Sequence, residues 1–200
     1  MPRYVDHEQR RKDIVRAAAA VLADSGYANF SLRAIATRMG GSSTLVTHYF
    51  ATREQLVTAL IAWIFDDAEA EYKELMGIDG GRERLVAVLE YFLPTDAESA
   101  EQERIRIALL PYRSTDEVVA DFFARLEERM RALLRVGVES LADPADIDGY
   151  VSLLRAWVNG MALSVVEHPE LWSAEQQRVA MEWFLERLLP ADAGAALPRL

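Results

Sequence analysis

The segment 31–56, SLRAIATRMGGSSTLVTHYFATREQL, constrains the fold of this chain more than any other. After Ser31, apolar residues recur at spacings of three and four, which is the pattern of an amphipathic helix with a hydroxyl residue at its N-cap. Gly40-Gly41 then predicts a sharp helix end, because glycine tolerates the left-handed backbone that such an exit needs. A second short helix follows, with Val46, Tyr49 and Phe50 on its apolar side. The segment therefore predicts two short helices around a tight glycine turn.

The polar residues of the second short helix indicate what it does. The sequence Thr52-Arg53-Glu54-Gln55 predicts a capping box at the start of the next helix, so the short helix is held between two neighbours. The residues left to face outward are Ser43, Thr44, Thr47 and His48. Hydroxyl and imidazole groups can bond to base edges, and a threonine methyl group can contact a thymine methyl group. The segment therefore predicts a helix-turn-helix that enters the major groove of DNA.

Residues 8–56 resemble the N-terminal domain of the TetR family of bacterial transcriptional regulators. The resemblance rests on the long first helix RRKDIVRAAAAVLADSGY, the phrase FSLRAIATRMG and the ending HYFATREQL. Two residues depart from the usual family pattern: Gly41 replaces an aliphatic residue of the turn, and Thr47 replaces a tyrosine that contacts phosphate in many members. The sequence Thr47-His48-Tyr49-Phe50 is instead similar to the subgroup around the choline/betaine-pathway repressor.

The resemblance implies an all-α fold of about nine helices. It implies a three-helix DNA-binding domain over residues 1–54 and a helical effector-binding and dimerisation domain over residues 55–200. We therefore expect a homodimeric repressor that binds double-stranded operator DNA of twofold symmetry and is released by a small-molecule effector of unknown identity. Two alternatives stay open, namely a helical dimeric adaptor that has lost sequence-specific DNA binding and a transcriptional activator of the same family.

Composition argues against several other classes of protein. The 200 residues include no cysteine, so disulfides, thiolate nucleophiles and thiolate metal sites are not available. The N-terminus lacks the apolar run of a signal peptide, and no apolar stretch approaches the ~20 residues of a membrane span. We therefore expect a cytoplasmic protein without membrane contact. No nucleophile elbow, phosphate loop or metal-ligand spacing is evident, so we expect no enzymatic activity, cofactor or metal ion.

Charge is divided unevenly along the chain. The net charge is −10, yet residues 1–54 carry eight basic and five acidic side chains. The remaining residues carry fourteen basic and twenty-seven acidic side chains. A basic N-terminal domain on an acidic body favours end-on approach to DNA, with phosphate contacts supplying much of the affinity.

Five further residues are candidates for contact with DNA. Arg53 opens a helix, where its cation and the free backbone N–H groups both favour phosphate. Arg33 and Arg38 are either phosphate contacts or ordinary exposed residues. Arg11 lies in a basic run that we expect to reach the DNA backbone or the minor groove as a mobile arm. Tyr49 is either a packed ring or a phosphate contact, and packing is favoured.

Helical periodicity continues through the rest of the chain. A long helix from Arg53 to about Met76 is expected to link the two domains. We expect Thr115 to cap a later helix, Asp143-Pro144 to open the next one, and Ser173 with Gln176 to form a capping box. The expected C-terminal helices span residues 82–93, 97–110, 116–141, 144–167 and 174–189.

Two sets of apolar residues carry predictions for the C-terminal domain. The last two helices are expected either to form a four-helix bundle with a second subunit, as the resemblance implies, or to pack only within their own subunit. The predicted dimer residues are Leu154, Gly160, Val165, Met181, Phe184, Leu185 and Leu188. Aromatic residues of the middle helices are expected either to be plain core or to enclose an effector pocket, as the resemblance implies. The predicted pocket residues are Trp63, Tyr91, Phe92, Tyr112, Phe122, Phe123, Trp157 and Met161.

Overall fold

The computed structural model describes residues 7–64 and 68–189, and all regular structure in these ranges is helical. The first half contains α1 (His7–Ser25), a 3₁₀ turn (Tyr27–Asn29), α2 (Leu32–Arg38), α3 (Ser43–Tyr49), α4 (Arg53–Ile64), α5 (Ala68–Met76) and α6 (Gly81–Phe92). The second half contains α7 (Ala97–Leu109), a 3₁₀ turn (Leu110–Tyr112), α8 (Glu117–Val138), α9 (Ile147–Glu167) and α10 (Ala174–Leu188). The predicted all-α fold is confirmed over this part of the chain, with ten α-helices rather than about nine.

The chain divides into two compact units. Of the described residues, unit 1 contains 7–64 and 104–123, and unit 2 contains 68–103 and 124–189. The divisions fall inside α7 and α8, so each of these helices contributes residues to both units. The second 3₁₀ turn and the start of α8 therefore belong to the same unit as the helix-turn-helix.

Unit 1 has a core built largely by its first four helices. α1 packs on α2 and α4, and α2 packs on α3. Ile14, Ala18 and Leu22 form the inner stripe of α1 and are fully buried. Val46 of α3 and Phe50, which follows α3, are buried as well, as the sequence predicted. This packing fixes the apolar side of α3 to the core and leaves its opposite side at the surface.

Unit 2 has its own apolar core, to which α5, α6, α8, α9 and α10 contribute. α6 packs on α5 and on α9. α8 lies against α6 at Gly137, where an added Cβ would lie 3.2 Å from the Cα of Leu85. Glycine is therefore the residue that permits the two helix backbones to approach this closely.

The helix ends around the turn follow the sequence prediction. Ser31 Oγ accepts the backbone N–H of Ala34 at 3.2 Å and so caps α2. Gly40 has φ +66°, and its N–H donates to the Thr37 carbonyl oxygen at 3.0 Å. The N–H of Gly41 donates to the Ala36 carbonyl oxygen, also at 3.0 Å. This pair of bonds is a Schellman motif, the helix stop that Gly40-Gly41 predicted.

The capping box predicted at α10 is complete, and the one predicted at α4 is only half formed. At α10, Ser173 Oγ accepts the N–H of Gln176, and the Gln176 side chain accepts the N–H of Ser173. At α4, Thr52 Oγ1 accepts the N–H of Gln55 at 3.2 Å. The Gln55 side chain reaches one residue further back, to the N–H of Ala51 at 2.9 Å.

Two predicted helix starts are wrong. Asp116, not Thr115, caps α8, because its Oδ1 accepts the N–H groups of Val118 and Val119 at 3.0 and 3.2 Å. Asp143 closes a separate turn instead of opening α9, since its Oδ1 accepts the N–H of Ala145 and its carbonyl oxygen accepts the N–H of Asp146. The continuity of the long helix predicted from Arg53 to Met76 depends on residues 65–67, which lie outside the described residues.

Candidate DNA-binding site and subunit surface

α3 presents four polar side chains to solvent. Ser42 occupies the N-cap position, and its carbonyl oxygen accepts the N–H of Leu45 at 3.0 Å. Val46 faces the core, so the opposite side of this short helix is exposed. The exposed residues are Ser43, Thr44, Thr47 and His48. The prediction that they face outward is confirmed, and their contact with DNA stays a prediction.

The hydroxyl of Thr47 already has a partner within the helix. It donates to the Thr44 carbonyl oxygen at 3.2 Å. A hydroxyl held in this way offers its acceptor lone pairs and the neighbouring methyl group, rather than its proton, to a base edge. Thr47 is therefore suited to accept a hydrogen bond from an exocyclic amino group or to contact a thymine methyl group.

Tyr49 lies half-buried at the end of α3, beside His7 and His48. Its Oη lies 3.0 Å from His7 Nδ1. Its ring centroid lies 5.9 Å from that of His7 and 5.2 Å from that of His48. These contacts join the start of α1 to the end of α3. The structure shows the packed role favoured from the sequence, and a phosphate contact by Tyr49 stays a prediction.

The arginines of α1 and α2 are held at the surface of unit 1. Arg11 lies inside α1, in the long first helix that the sequence predicted, and its contact with the DNA backbone or the minor groove stays a prediction. The Arg11 guanidinium lies 4.4 Å from the centroid of the Phe50 ring, a cation–π contact near the end of α3. Arg38 forms an exposed ion pair with Asp24 at 2.8 Å. Arg33 is exposed. Exposed pairs contribute little to stability, so Arg38 can exchange Asp24 for phosphate at low cost.

Arg53 has a packed position that the sequence did not predict. Its Nη2 donates to the Tyr27 carbonyl oxygen at 2.8 Å. Its guanidinium carbon lies 3.9 Å from the centroid of the Tyr27 ring and 5.9 Å from that of Phe30. Its Nε is buried and has no acceptor among the described residues. The side chain therefore anchors the start of α4 to the turn after α1, and its contact with phosphate stays a prediction.

Tyr27 joins this anchor to the start of α8. It is 3% exposed, and its hydroxyl donates to Asp116 Oδ2 at 2.6 Å. Its ring centroid lies 4.4 Å from that of Tyr112 in the second 3₁₀ turn. Asp116 therefore uses one oxygen to cap α8 and the other to accept from Tyr27. Sequence reasoning missed this contact, and no local spacing signals a pair that is 89 residues apart.

The electrostatics of this contact favour an ionised Asp116. Burial alone would raise the pKa of the carboxyl group, but the hydrogen bond from Tyr27, those from Val119 and Val118, and the charge of Arg53 outweigh it. The net result is an Asp116 pKa below its ordinary value. Burial, followed by the hydrogen bond to Asp116, raises the pKa of the Tyr27 phenol. The hydrogen bond thus joins a neutral phenol to a carboxylate, which is a strong, charge-assisted type.

The last two helices of unit 2 and the turn between them expose an apolar surface. Leu171, Val179 and Trp183 are 58%, 59% and 58% exposed, more than any other large apolar side chain of the described residues. On α9, Leu163 is also exposed, and a Cβ added at Gly160 would meet open space. Exposed apolar surface of this extent is typical of a protein–protein interface.

A groove of about 810 Å³ lies within this surface. Its wall includes Trp157 stacked on Phe184, with ring centroids 5.0 Å apart and planes 7° apart. The lining residues are Trp157, Met161, Leu171, Trp172, Glu175, Gln176, Val179, Ala180, Trp183 and Phe184. We call this set the α9–α10 groove. Its lining is almost wholly apolar, so water leaves it readily when a partner covers it.

Several residues predicted for the dimer interface pack within their own subunit. Leu154, Val165, Met181 and Leu185 are buried in the core of unit 2, so the prediction that they face a partner is wrong. The hydrophobic stripe of a helix marks its buried face, and here the core of the protomer covers that stripe. Phe184 and Leu188 are half-buried, and Gly160 is exposed. Val179 and Trp183, which were not among the predicted residues, are the exposed ones, and their spacing of four places them on one helix face.

The eight residues predicted for an effector pocket are divided between the units. Trp157 and Met161 line the α9–α10 groove. Tyr91 and Phe92 pack against the unit 2 core from α6. The other four belong to unit 1: Trp63, Tyr112, Phe122 and Phe123. Phe122 and Phe123 are buried with ring centroids 5.0 Å apart, which fits the core role left open from the sequence.

The described residues contain neither a cluster of metal-ligating side chains nor a membrane-spanning helix. No group of three or more histidine, aspartate or glutamate side chains is placed to hold a metal ion. No helix in the described ranges has both the length and the apolar character needed to cross a membrane.

Comparison with known protein families decides the affiliation of the chain. The family described as BetI-type transcriptional repressor, C-terminal, matches residues 81–190. The family described as bacterial regulatory proteins, tetR family, matches residues 14–60, which include the helix-turn-helix. The chain belongs to the TetR family. It is thus a transcriptional regulator with a BetI-type C-terminal region.

Individual TetR-family relatives match most of the chain. The transcriptional regulator PksA of Bacillus subtilis is 28% identical over 173 residues, which cover 84% of each chain. The regulator BetI of Rhizobium meliloti is 28% identical over 165 residues, which cover 80% of each chain. A transcriptional regulator from Saccharomonospora viridis, solved in complex with choline, has a TM-score of 0.78 at 20% identity. The match covers 90% of this chain and 97% of that one. This structural likeness confirms the fold.

Proposed function

We propose that the protein is a homodimeric repressor that reads a twofold-symmetric operator with α3 and leaves it when a small molecule binds. The observation that carries this proposal is the exposed polar side of α3, held on a fixed core by Val46 and Phe50. Hydroxyl groups and an imidazole on such a helix match the chemistry of base edges in the major groove. Binding to operator DNA would also require the cytoplasmic location that we expect from the sequence.

The turn of the helix-turn-helix supports DNA binding over the adaptor alternative. Gly41, which departs from the family pattern, forms its expected hydrogen bond to Ala36, so the turn is intact. An added Cβ at Gly41 would lie 3.4 Å from Leu45 Cδ2, an ordinary contact. The loss of an aliphatic residue at this position therefore removes a contact without distorting the path into α3.

The α9–α10 groove supports the homodimer. A twofold operator presents two major-groove sites roughly 34–36 Å apart, and two linked copies of α3 are needed to occupy both. A second copy seated on Trp183, Val179 and Leu171 would remove the most exposed large apolar side chains from water. Gly160 would let the partner helix approach closely, since space beside it is open. This surface replaces the buried residues first predicted for the interface.

Choline is the first effector to test. The Saccharomonospora viridis regulator of the same fold was solved with choline, and the C-terminal region of this chain is BetI-type. We expect choline to weaken the complex with operator DNA in a saturable way, while sodium chloride at the same ionic strength serves as the control. If choline has no effect beyond that of salt, a different effector class is indicated.

The proposed function is tested by selecting duplexes from fragmented genomic DNA with the purified protein. We expect enrichment of a site with twofold symmetry, and a steep loss of affinity as salt rises. Uniform, weak binding without an enriched sequence would favour the adaptor alternative. An enriched site that lies upstream of its promoter and increases transcription would instead favour the activator.

A further inference from the structure

Unit 1 contains a chain of contacts that leads from the start of α8 to the start of α4. Asp116 accepts the hydroxyl of Tyr27 at 2.6 Å. The Tyr27 carbonyl oxygen in turn accepts a hydrogen bond from Arg53 Nη2 at 2.8 Å, and the Tyr27 ring lies against the Arg53 guanidinium. Arg53 is the first residue of α4. Two helix N-termini that are far apart in the sequence are thus joined to the turn after α1, one through the Tyr27 side chain and the other through its ring and carbonyl oxygen.

These contacts lie close to α3, because Arg53 follows it after a short connection. α3 ends at Tyr49 and α4 begins at Arg53, so only three residues separate them. One of the three, Phe50, is buried in the core. A displacement of Arg53 therefore shifts the C-terminal end of α3, because the connection is too short to absorb the movement. α3 itself is only seven residues long, and helices of this length depend on tertiary contacts for their position.

We propose that Asp116, Tyr27 and Arg53 are positioning residues for operator recognition, which hold α3 at its DNA-binding angle without contacting DNA bases themselves. The proposal rests on the DNA-binding function above. Asp116 suits this role because its two carboxylate oxygens have different partners, the N-terminus of α8 and the Tyr27 hydroxyl. Any shift of the α8 start relative to Tyr27 must break or bend the second bond. The start of α8 thereby sets how well α3 fits the major groove.

Two variants remove the bond while keeping the surrounding structure. Tyr27→Phe removes the hydroxyl and keeps the ring beneath Arg53. Asp116→Ser keeps an N-cap oxygen for α8 but leaves no second oxygen that reaches Tyr27. Tyr150→Phe is the matched control, because it removes the hydroxyl of a buried tyrosine in unit 2. Affinity is measured for the duplex selected by the wild-type protein and for a shuffled duplex, well below the melting temperature of every variant.

We expect Tyr27→Phe and Asp116→Ser each to weaken operator binding by about tenfold, with little change for the shuffled duplex. The double variant is expected to be no weaker than either single variant, because both act on one bond. Tyr150→Phe is expected to bind both duplexes like the wild type. Loss of thermal stability with an unchanged ratio of operator to shuffled affinity would overturn the proposal and leave a purely structural bond. Failure of the wild type to select any duplex would instead refute the proposed function itself.

Discussion

Individual residues of α3 differ in how far they reach towards DNA. Thr47 is shorter than the tyrosine usual at this position, and its hydroxyl donates within the helix. We therefore expect Thr47 to read a base through its methyl group or lone pairs, close to the helix axis. His48 reaches further and can donate or accept through its ring nitrogens. The two residues should accordingly specify different base pairs of one half-site.

Replacing Thr47 or His48 tests this assignment. We expect Thr47→Ala and His48→Ala each to weaken operator binding by about tenfold, since a good base contact contributes ~1–3 kcal/mol. Thermal stability should stay unchanged, because both side chains are exposed. Thr58→Ala is the matched control: Thr58 is an exposed threonine of α4 whose hydroxyl also donates to its own helix, at the Glu54 carbonyl oxygen. Equal affinities for the wild type and both α3 variants would contradict the assignment.

The two glycines of the turn should respond to alanine in opposite directions. Gly41→Ala is expected to stabilise the protein by about 0.5–1 kcal/mol, because the methyl group finds an ordinary contact with Leu45 and the unfolded chain loses freedom. Gly40→Ala is expected to destabilise it by ~1–2 kcal/mol, because the residue has φ +66°. Urea unfolding of the two variants measures both effects. A loss of stability in Gly41→Ala would show that the turn needs glycine at both positions.

Asp116 should make stability depend on pH in the acid range. Its folded-state pKa lies below the ordinary value of 3.8, so the ionised form stabilises the folded state above that pH. The contribution is lost as the pH falls through the lowered pKa. The difference in unfolding free energy between the wild type and Asp116→Ser should therefore be constant at about pH 5 to 7 and shrink as the pH falls below 3.8. Urea titrations at several pH values measure this difference, and a difference that grows on acidification would contradict it.

At the scale of helices and turns, the sequence predicted what depends on near neighbours. The Ser31 cap, the Gly40 stop and the box formed by Ser173 and Gln176 each involve bonds within about five residues. Asp116 differs from these residues. It caps α8 in place of Thr115 and also accepts a hydrogen bond from Tyr27, which is far away in the sequence. The periodicity of α10 predicted Met181 as an interface residue, yet the protomer core covers it. A hydrophobic stripe shows that a face is buried without showing which partner buries it.

The α9–α10 groove makes a prediction at the same scale. Trp183→Glu should convert the dimer to a monomer at micromolar protein, because a carboxylate would be desolvated in an apolar interface. Operator affinity should fall with it, since the second copy of α3 is no longer linked to the first. Tyr72→Glu is the control, a comparable change at an exposed aromatic residue of α5. Sedimentation equilibrium gives the mass, and a dimer that persists in Trp183→Glu would place the interface elsewhere.

At the scale of the whole molecule, the sequence predicts the charge distribution and the fold class but not the position of an effector. The excess of basic residues over positions 1–54 and of acidic residues in the remainder is visible in the sequence, and so is the all-α fold of the described residues. The position of an effector cannot be derived in this way, because the eight predicted pocket residues come from helices whose aromatic positions also serve the two cores. Pockets depend on where helices leave a gap, and helical periodicity carries no information on gaps.

A footprint of the wild-type protein on its selected operator shows directly whether a dimer reads DNA with α3. We expect two protected major-groove segments related by twofold symmetry, with centres about one helical turn or a whole number of turns apart. Their protection should be lost together in the Trp183→Glu variant. A single protected segment, or protection confined to the minor groove, would contradict a dimer that reads DNA with α3.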